Sequence, residues 1–285
     1  MNSVNRPFDL VILDLDGTIL DPYKSADFTP AVMEAVAAVQ ASGIPVTIGT
    51  GRTFDFVRHY AKILNVTMPV VTTQGAVVGN PVTGEVLAES ILPLDASRAV
   101  AEWVDESERI TVFYFTQADG SVTIYQNRNE GDDEFYDHVF GTPRVMQQSF
   151  RDLLAADNAH PPVKFITVDN PEAGDDIDPT LQARFSQNLY ITRTHPKLVE
   201  GTALGVNKGE GVRKLCQILG IDRSRVLAIG DSNNDIPMLE AVGTAVAMGN
   251  AGEPVRAVAD WIAPSIDDDG AAVALHKFIL ERMRL

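Results

Sequence analysis

Leu10-Val11-Ile12-Leu13-Asp14-Leu15-Asp16-Gly17-Thr18 joins an unbroken apolar run to two carboxylates and a glycine. Four consecutive apolar residues ending at turn formers read as a strand covered on both faces, because a half-exposed strand alternates apolar with polar. Gly17 breaks the strand, and a chain leaving there can turn Asp14 and Asp16 toward one crevice. Carboxylates that close do not both ionise freely unless a cation lies between them or one keeps its proton. Paired acids with a divalent metal at the carboxyl end of a buried strand are a layout for phosphoryl transfer. An acidic turn after a strand uses the same residue types. Segments farther along the chain bear on the choice.

Working outward, strands at Phe8–Leu13, Pro45–Ile48 and Val70–Thr72 alternate with helices at Thr29–Ala41 and Gly51–Leu64. Apolar strands separated by helices predict a parallel sheet with right-handed crossovers. From about Thr83 to Tyr190 the strands become amphipathic and hairpin-like: Gly84–Ala88, Thr111–Thr116 and Ser121–Gln126 around an Ala118-Asp119-Gly120 turn, then Lys164–Val168. Helices at Asp95–Ser107 and Phe150–Ala156 interleave with them, and a loop is expected at Asp169–Pro179. After Val206 the first pattern resumes. Helices are expected at Lys208–Leu219, Ile236–Ala241, Pro254–Val258 and Gly270–Arg282, with strands at Arg225–Ile229, Ala245–Met248 and Trp261–Ile262. The expected fold class is α/β: a doubly wound parallel-sheet (Rossmann-like) core at 1–82 and 199–285, interrupted by an α+β domain at 83–198.

A formal net charge of −16 over 285 residues opposes non-specific binding to nucleic acid and to anionic membrane surfaces. An anionic substrate therefore needs a locally positive site, made by a metal or by a few Lys and Arg. Cys216 is the only cysteine, so an intrachain disulfide or a cysteine metal cluster is ruled out, which suits a reducing, cytoplasmic location. Met1–Arg6 lacks the order of a signal peptide, and no stretch approaches the roughly 20 apolar residues of a membrane span. The five histidines show no ligand spacing. Monomer and homodimer both stay open.

Three further segments place polar residues just past strand ends, on the rim where open parallel sheets bind ligands. Thr50-Gly51-Arg52 brings a hydroxyl and backbone N–H groups, Asn207-Lys208-Gly209 brings an ammonium, and Gly230-Asp231-Ser232-Asn233-Asn234-Asp235 brings two carboxylates and two amides. Each alone also reads as a helix cap or an Asx turn. Four strand ends with complementary chemistry on one rim favour a site.

The ordered set Asp14-x-Asp16-Gly17-Thr18, Thr50, Lys208 and Gly230-Asp231-(x)2-Asn234-Asp235 resembles the haloacid dehalogenase superfamily of phosphatases. One helix separates Asp14 from Thr50, while the large insert falls between Thr50 and Lys208. That placement resembles the Cof-type branch with a type IIB α/β cap. Gly205-Val206-Asn207-Lys208-Gly209 and Gly230 through Leu239 match the branch closely. Thr73-Gln74-Gly75-Ala76 departs from it, standing where the branch usually has Asn before Gly-Ala, and Gly201 and Ala203 replace an apolar residue and a proline. These departures fall at the cap hinge and the pocket wall.

The resemblance implies magnesium-dependent hydrolysis of a small phosphorylated metabolite such as a sugar phosphate. Asp14 would attack phosphorus and form an aspartyl-phosphate; Asp16 would protonate the leaving alkoxide and then take a proton from water. Mg2+ would be held by the Asp14 carboxylate, the Asp16 backbone carbonyl and Asp231. Thr50, Gly51, Lys208 and Asn234 would hold the phosphate oxygens. Asp235 would orient Lys208 or a metal-bound water, and Thr18 would hydrogen-bond Asp16. Arg52 has two readings, a substrate contact or an ion pair steadying its helix. A phosphate dianion beside Asp14 and Asp231 outweighs the one positive charge of Lys208, and a divalent cation reduces the deficit.

Two rivals share this core. A phosphotransferase or phosphomutase differs only in the acceptor, but such mutases usually carry their cap directly after the first motif. A non-catalytic phosphometabolite sensor does not need both Asp14 and Asp16. A receiver-like signalling domain would place its acidic pair first, whereas Asp231–Asp235 arrives last.

Overall fold

The computed structural model describes residues 6–21, 27–107, 109–117, 119–129, 133–141, 143–169, 174 and 176–282. Ala118 of the expected turn, residues 170–173 and 175 of the expected loop after Asp169 and the first five residues lie outside them. The chain lays down β1 (Leu10–Leu13), α1 (Pro30–Ala41), β2 (Val46–Ile48), α2 (Phe54–Ile63), β3 (Val70–Thr72), β4 (Val77–Gly79) and β5 (Val86–Glu89). It continues through α3 (Leu94–Ser107), β6 (Thr111–Thr116), β7 (Val122–Gln126), α4 (Asp133–Phe140), β8 (Arg144–Met146), α5 (Phe150–Leu153), β9 (Lys164–Val168), α6 (Asp178–Phe185), β10 (Leu189–His195) and β11 (Leu198–Ala203). It closes with α7 (Lys208–Leu219), β12 (Val226–Gly230), α8 (Ile236–Glu240), β13 (Thr244–Ala247), α9 (Glu253–Arg256), β14 (Trp261–Ile262) and α10 (Gly270–Leu275).

The core sheet has the order β14-β13-β12-β1-β2, and every adjacent pair is parallel. Alternate residues of its central strands enter two different cores. Val11, Leu13, Leu227 and Ile229 pack on the side of α1 and α10, while Leu10, Ile12, Val226 and Ala228 pack with residues of α7 and α8. Burial on both faces is why the opening apolar run does not alternate. Asn207 starts α7 by accepting the Glu210 N–H at 3.0 Å, and left-handed Gly220 ends it.

Three expectations for the core need correction. First, α2 begins at Phe54, not Gly51, because Arg52 N–H turns back to the Thr50 hydroxyl oxygen at 3.2 Å and keeps Thr50–Arg52 as a loop. Second, β3 meets the parallel sheet only at the Gly49–Val71 bridge and pairs antiparallel with β4, which pairs with β5. The turn between β3 and β4 holds Thr73, Gln74 and Gly75 at φ 54°, 57° and 89°, a succession that propensity does not announce. Third, the α-helical part of the closing helix stops at Leu275, and a π-turn at His276–Leu280 follows.

The inserted region forms a six-stranded sheet, β10-β11-β9-β6-β7-β8, antiparallel except for β7–β8. Phe113, Phe150, Phe165 and Leu181 fill the core between one face and α3, α5 and α6, with the Phe113 and Phe150 rings stacked 4.4 Å apart. The period-2 alternation turns Tyr114, Lys164, Ile166, Leu198 and Glu200 to the other face, toward the core rim. The sequence reading omitted β8, β10, β11, α4 and α6. Pro179, read as the end of a loop, occupies the first turn of α6, where its missing N–H has no partner to lose. The expected boundary at 82/83 separates the paired strands β4 and β5, and the one at 198/199 cuts β11.

Gly75 carries a positive φ, and a Cβ there would overlap the Asn207 carbonyl at the head of α7. Gly75→Ala is therefore expected to lower stability by about 2–3 kcal/mol, read as a shift in the urea midpoint.

Candidate active site

The site starts from one backbone reversal. Asp14 N–H donates to Ile229 O at 2.9 Å, which sets the end of β1 beside the end of β12. At Gly17, φ is 82° and a Cβ would overlap the Asp231 carboxylate, so glycine lets the two strand-end loops close on each other. The chain then folds back, with Gly17 N–H on Leu20 O. Asp14 and Asp16 are thereby left facing one cavity.

Lys208 Nζ donates to Asp14 Oδ1 at 2.6 Å and to Asp235 Oδ1 at 2.5 Å, with Lys208 2% exposed and Asp235 fully buried. Asp235 Oδ2 accepts the backbone N–H groups of Asp231 and Ser232, both at 3.0 Å, so the turn that delivers Asp231 also holds Asp235. Asp231 accepts from the Thr18 hydroxyl at 3.2 Å and the Ser232 hydroxyl at 3.1 Å. Thr18 thus bonds Asp231 and not Asp16 as expected, because the reversal at Gly17 sends the two side chains to opposite sides. Asp16 pairs with Arg52 instead, Nε to Oδ2 at 2.9 Å and Nη2 to Oδ1 at 3.0 Å. Of the two readings of Arg52, the structure contains an ion pair, made with Asp16 rather than with its own helix. The guanidinium also lies 4.9 Å from the Phe56 ring centroid.

Three carboxylates face one ammonium here. Burial, and then the Asp235 charge, push the Asp14 carboxyl well above its ordinary range. The same two causes push Asp231 up to about 7. Burial disfavours the Lys208 ammonium, but Asp14 and Asp235 outweigh it and hold its pKa above the ordinary value. One oxygen from each of Asp14, Asp231 and Asp235 lies within 4.8 Å of the others. An all-oxygen, carboxylate-rich cluster with a charge deficit fits a hard divalent cation. Asp235 is fully buried with both oxygens held by Lys208 and two backbone N–H groups, whereas Asp231 is only partly buried and its donors are side chains, so Asp14 and Asp231 are the better placed ligands.

A cavity of about 160 Å³ lies between the core rim and the inserted sheet. The structure brings Asp14, Asp16, Thr50, Gly51, Arg52, Lys208 and Asn234 to its wall. Asp231, Asp235 and Thr18 adjoin them through the hydrogen bonds above. Asn234 donates Nδ2 to Gln74 Oε1 at 3.1 Å, while its Oδ1 is buried without a partner. Gln74, which the sequence placed near the hinge and pocket wall, also lines it, as do Tyr114, Lys164, Thr194 and Glu200, to which the sequence reading gave no role. Lys164 and Glu200 did leave a signal: each is a charge at the edge of, or within, a run of apolar residues that belongs to a strand. Among the described residues no helix is long and apolar enough to cross a membrane.

Comparison with known proteins agrees with this geometry. The sequence profile of the haloacid dehalogenase-like hydrolases matches residues 11–275. The Bacillus subtilis (strain 168) protein YxeH, which bears a phosphatase name, is 29% identical over 282 residues, covering 96% of this chain and all of YxeH. The 5-amino-6-(5-phospho-D-ribitylamino)uracil phosphatase YcsE of the same organism is 27% identical over 274 residues, covering 95% of this chain and 96% of YcsE. The solved structure of the subclass IIB sugar phosphatase BT4131 shares the fold with a TM-score of 0.78 at 22% identity, covering 95% of this chain and 98% of its own. The chain, with its parallel-sheet core and inserted α/β cap, belongs to the haloacid dehalogenase-like hydrolase family.

Proposed function

We propose that the protein hydrolyses small phosphomonoesters by transfer of the phosphoryl group to Asp14, with Mg2+ as its metal. The observation that carries this reading is the buried Asp14–Lys208–Asp235 chain of hydrogen bonds with Asp231 alongside. Asp14 and Asp231 would hold the cation, with the Asp16 carbonyl, and the cation would supply the positive charge that lets Asp14 ionise beside a phosphate dianion. Lys208 keeps its proton, orients Asp14 and offers its charge to a phosphate oxygen. Thr50 and the backbone of Gly51 lie on the cavity wall beside it, placed to bind further oxygens.

In the first step an Asp14 oxygen forms a bond to phosphorus as the ester oxygen leaves, and Asp16 delivers a proton to that oxygen. In the second, Asp16 takes a proton from water, whose oxygen attacks phosphorus and releases Asp14. Asp16 can do neither while Arg52 grips both of its oxygens, so Arg52 has to release at least one when substrate enters. We take the cap to be roughly residues 90–203, between the ends of β5 and β11, because that division keeps the paired strands together. The cavity and the relatives support a small phosphorylated metabolite as substrate. The volume admits a small metabolite, and YcsE and BT4131 are named for phosphates of a ribityl compound and of sugars.

Asp14→Asn keeps the shape and an acceptor for Lys208 but removes the nucleophile. Phosphate release from a panel of phosphomonoesters is expected to fall by at least about a thousandfold, and chelator is expected to stop the wild type until magnesium is restored. Substantial turnover by the variant would sink the mechanism.

The raised carboxyls also predict a pH dependence. A folded-state pKa raised above its unfolded value contributes stability that is present at acid pH and lost as pH rises through the folded value, here about 7 for Asp231. In chelator, the melting temperature is expected to fall between pH 5 and pH 8, and magnesium to raise it more at pH 8 than at pH 5. Differential scanning fluorimetry checks both; equal magnesium shifts at the two pH values would contradict the crowding of Asp14, Asp231 and Asp235.

A further inference from the structure

We propose that Lys164, carried by the inserted sheet, is a positioning residue for the phosphate-binding turn Thr50–Arg52 of the core. The inference rests on the phosphatase reading above and adds a residue that acts on the site from the other side of the cavity. Lys164 is 3% exposed. Its Nζ donates to the Gly51 carbonyl at 3.0 Å and to Glu200 Oε2 at 3.1 Å, and it lies 4.7 Å from the Tyr114 ring centroid. Glu200, 5% exposed, is held in turn by the Thr194 hydroxyl at 2.5 Å and by Gln74 Nε2 at 3.5 Å. The pair therefore has a fixed geometry, and its ammonium is aimed at one backbone carbonyl on the opposite wall.

A buried ion pair contributes little net stability, since desolvating two charges offsets their attraction. The specific effect of this one lies in what Gly51 is joined to. The Gly51–Arg52 peptide is planar, so the direction of its carbonyl sets the direction of its N–H. That N–H, on Arg52, donates to Thr50 Oγ1 at 3.2 Å. The bond occupies a lone pair of the Thr50 hydroxyl and turns its hydrogen away from Arg52, while the side chain lines the cavity beside Lys208. A cation on the carbonyl also polarises the peptide and strengthens the N–H as a donor. Glu200, Lys164, the Gly51 peptide and the Thr50 hydroxyl thus form one line from the inserted sheet to the phosphate site. The hydroxyl is oriented for a phosphate oxygen when the sheet is seated on the core.

Calorimetric titration of inorganic phosphate into the magnesium-loaded protein tests this, together with kcat and KM for aryl phosphates that differ in leaving group. The variants are Lys164→Met with Glu200→Gln, which removes both charges so that neither is buried alone, and Lys164→Arg, which restores the cation. In the double variant, phosphate affinity is expected to fall about tenfold, as the loss of one charge-assisted hydrogen bond would produce. The kcat/KM should fall by the same factor for every leaving group, and Lys164→Arg should recover most of both. Phosphate affinity within about twofold of wild type would overturn the proposal, as would a loss that tracks the leaving group and marks Lys164 as a substrate contact. If the double variant does not fold, Glu200→Gln alone should weaken phosphate binding by about threefold, and unchanged affinity there counts equally against it. A wild type that binds no phosphate with magnesium fails the phosphatase reading itself, a result separate from any effect of the variants.

Discussion

Lys208 sits between two buried carboxylates at the point where the ends of three core strands converge. Its ammonium contacts Asp14 at the end of β1 and Asp235 in the turn after β12, and it stands at the first position of α7. Such an ion in the interior is tolerable only where its counter-charges are fixed in place. The parallel ladder between β1 and β12, the cap on α7 and the turn through Asp231–Asp235 all serve that condition. The same cluster leaves carboxylate in excess of ammonium, and that excess is what suits the site to a divalent cation and, in the proposed mechanism, through it to a phosphate dianion.

Around this centre the molecule is built in two halves with different packing rules. The parallel sheet buries both faces and exposes only its rim, so chemistry can occur only where the strands end. The inserted sheet buries one face under helices and turns the other to that rim, so Tyr114 of β6, Lys164 and Ile166 of β9 and Leu198 and Glu200 of β11 become cavity wall. Asp16 shows how the halves combine. Its strand end places it in the cavity, yet its charge is taken up by Arg52 of the next loop, and the proposed mechanism requires its release to be coupled to substrate entry.

The convergence of Asp14, Asp16, Thr50, Lys208, Asp231 and Asp235 was legible in the chain because each lies within a few residues of a strand end, where a change of local pattern marks the rim. Thr18 was assigned to the wrong partner because a single left-handed glycine decides which way the chain reverses. The start of α2 was misplaced because a side-chain oxygen, Thr50 Oγ1, competes for the N–H that a helix would use elsewhere. β10 and β11 were missed because their alternation is broken by Thr194 and Glu200, which face a cavity that only the assembled protein contains, and by Gly201, which leaves room for the Phe165 ring on the other face.

What the sequence determined by itself was the parallel core, the existence and type of the insert, and the acidic and basic residues that meet at the rim. Those features follow from short-range periodicity and from residue types whose chemistry is restrictive, so distance along the chain carries enough information. The pairing of Asp16 with Arg52, the bond from Thr18 to Asp231, the strand pairings at the insert boundaries and the reach of Lys164 to Gly51 were decided by tertiary structure alone. Each joins groups brought together by strand pairing, within one sheet for Asp16–Arg52 and Thr18–Asp231 and between two sheets for Lys164–Gly51, at separations of 213 residues for Thr18 and Asp231 and 113 for Lys164 and Gly51. No local pattern encodes which of several possible partners lies opposite until both surfaces have been built.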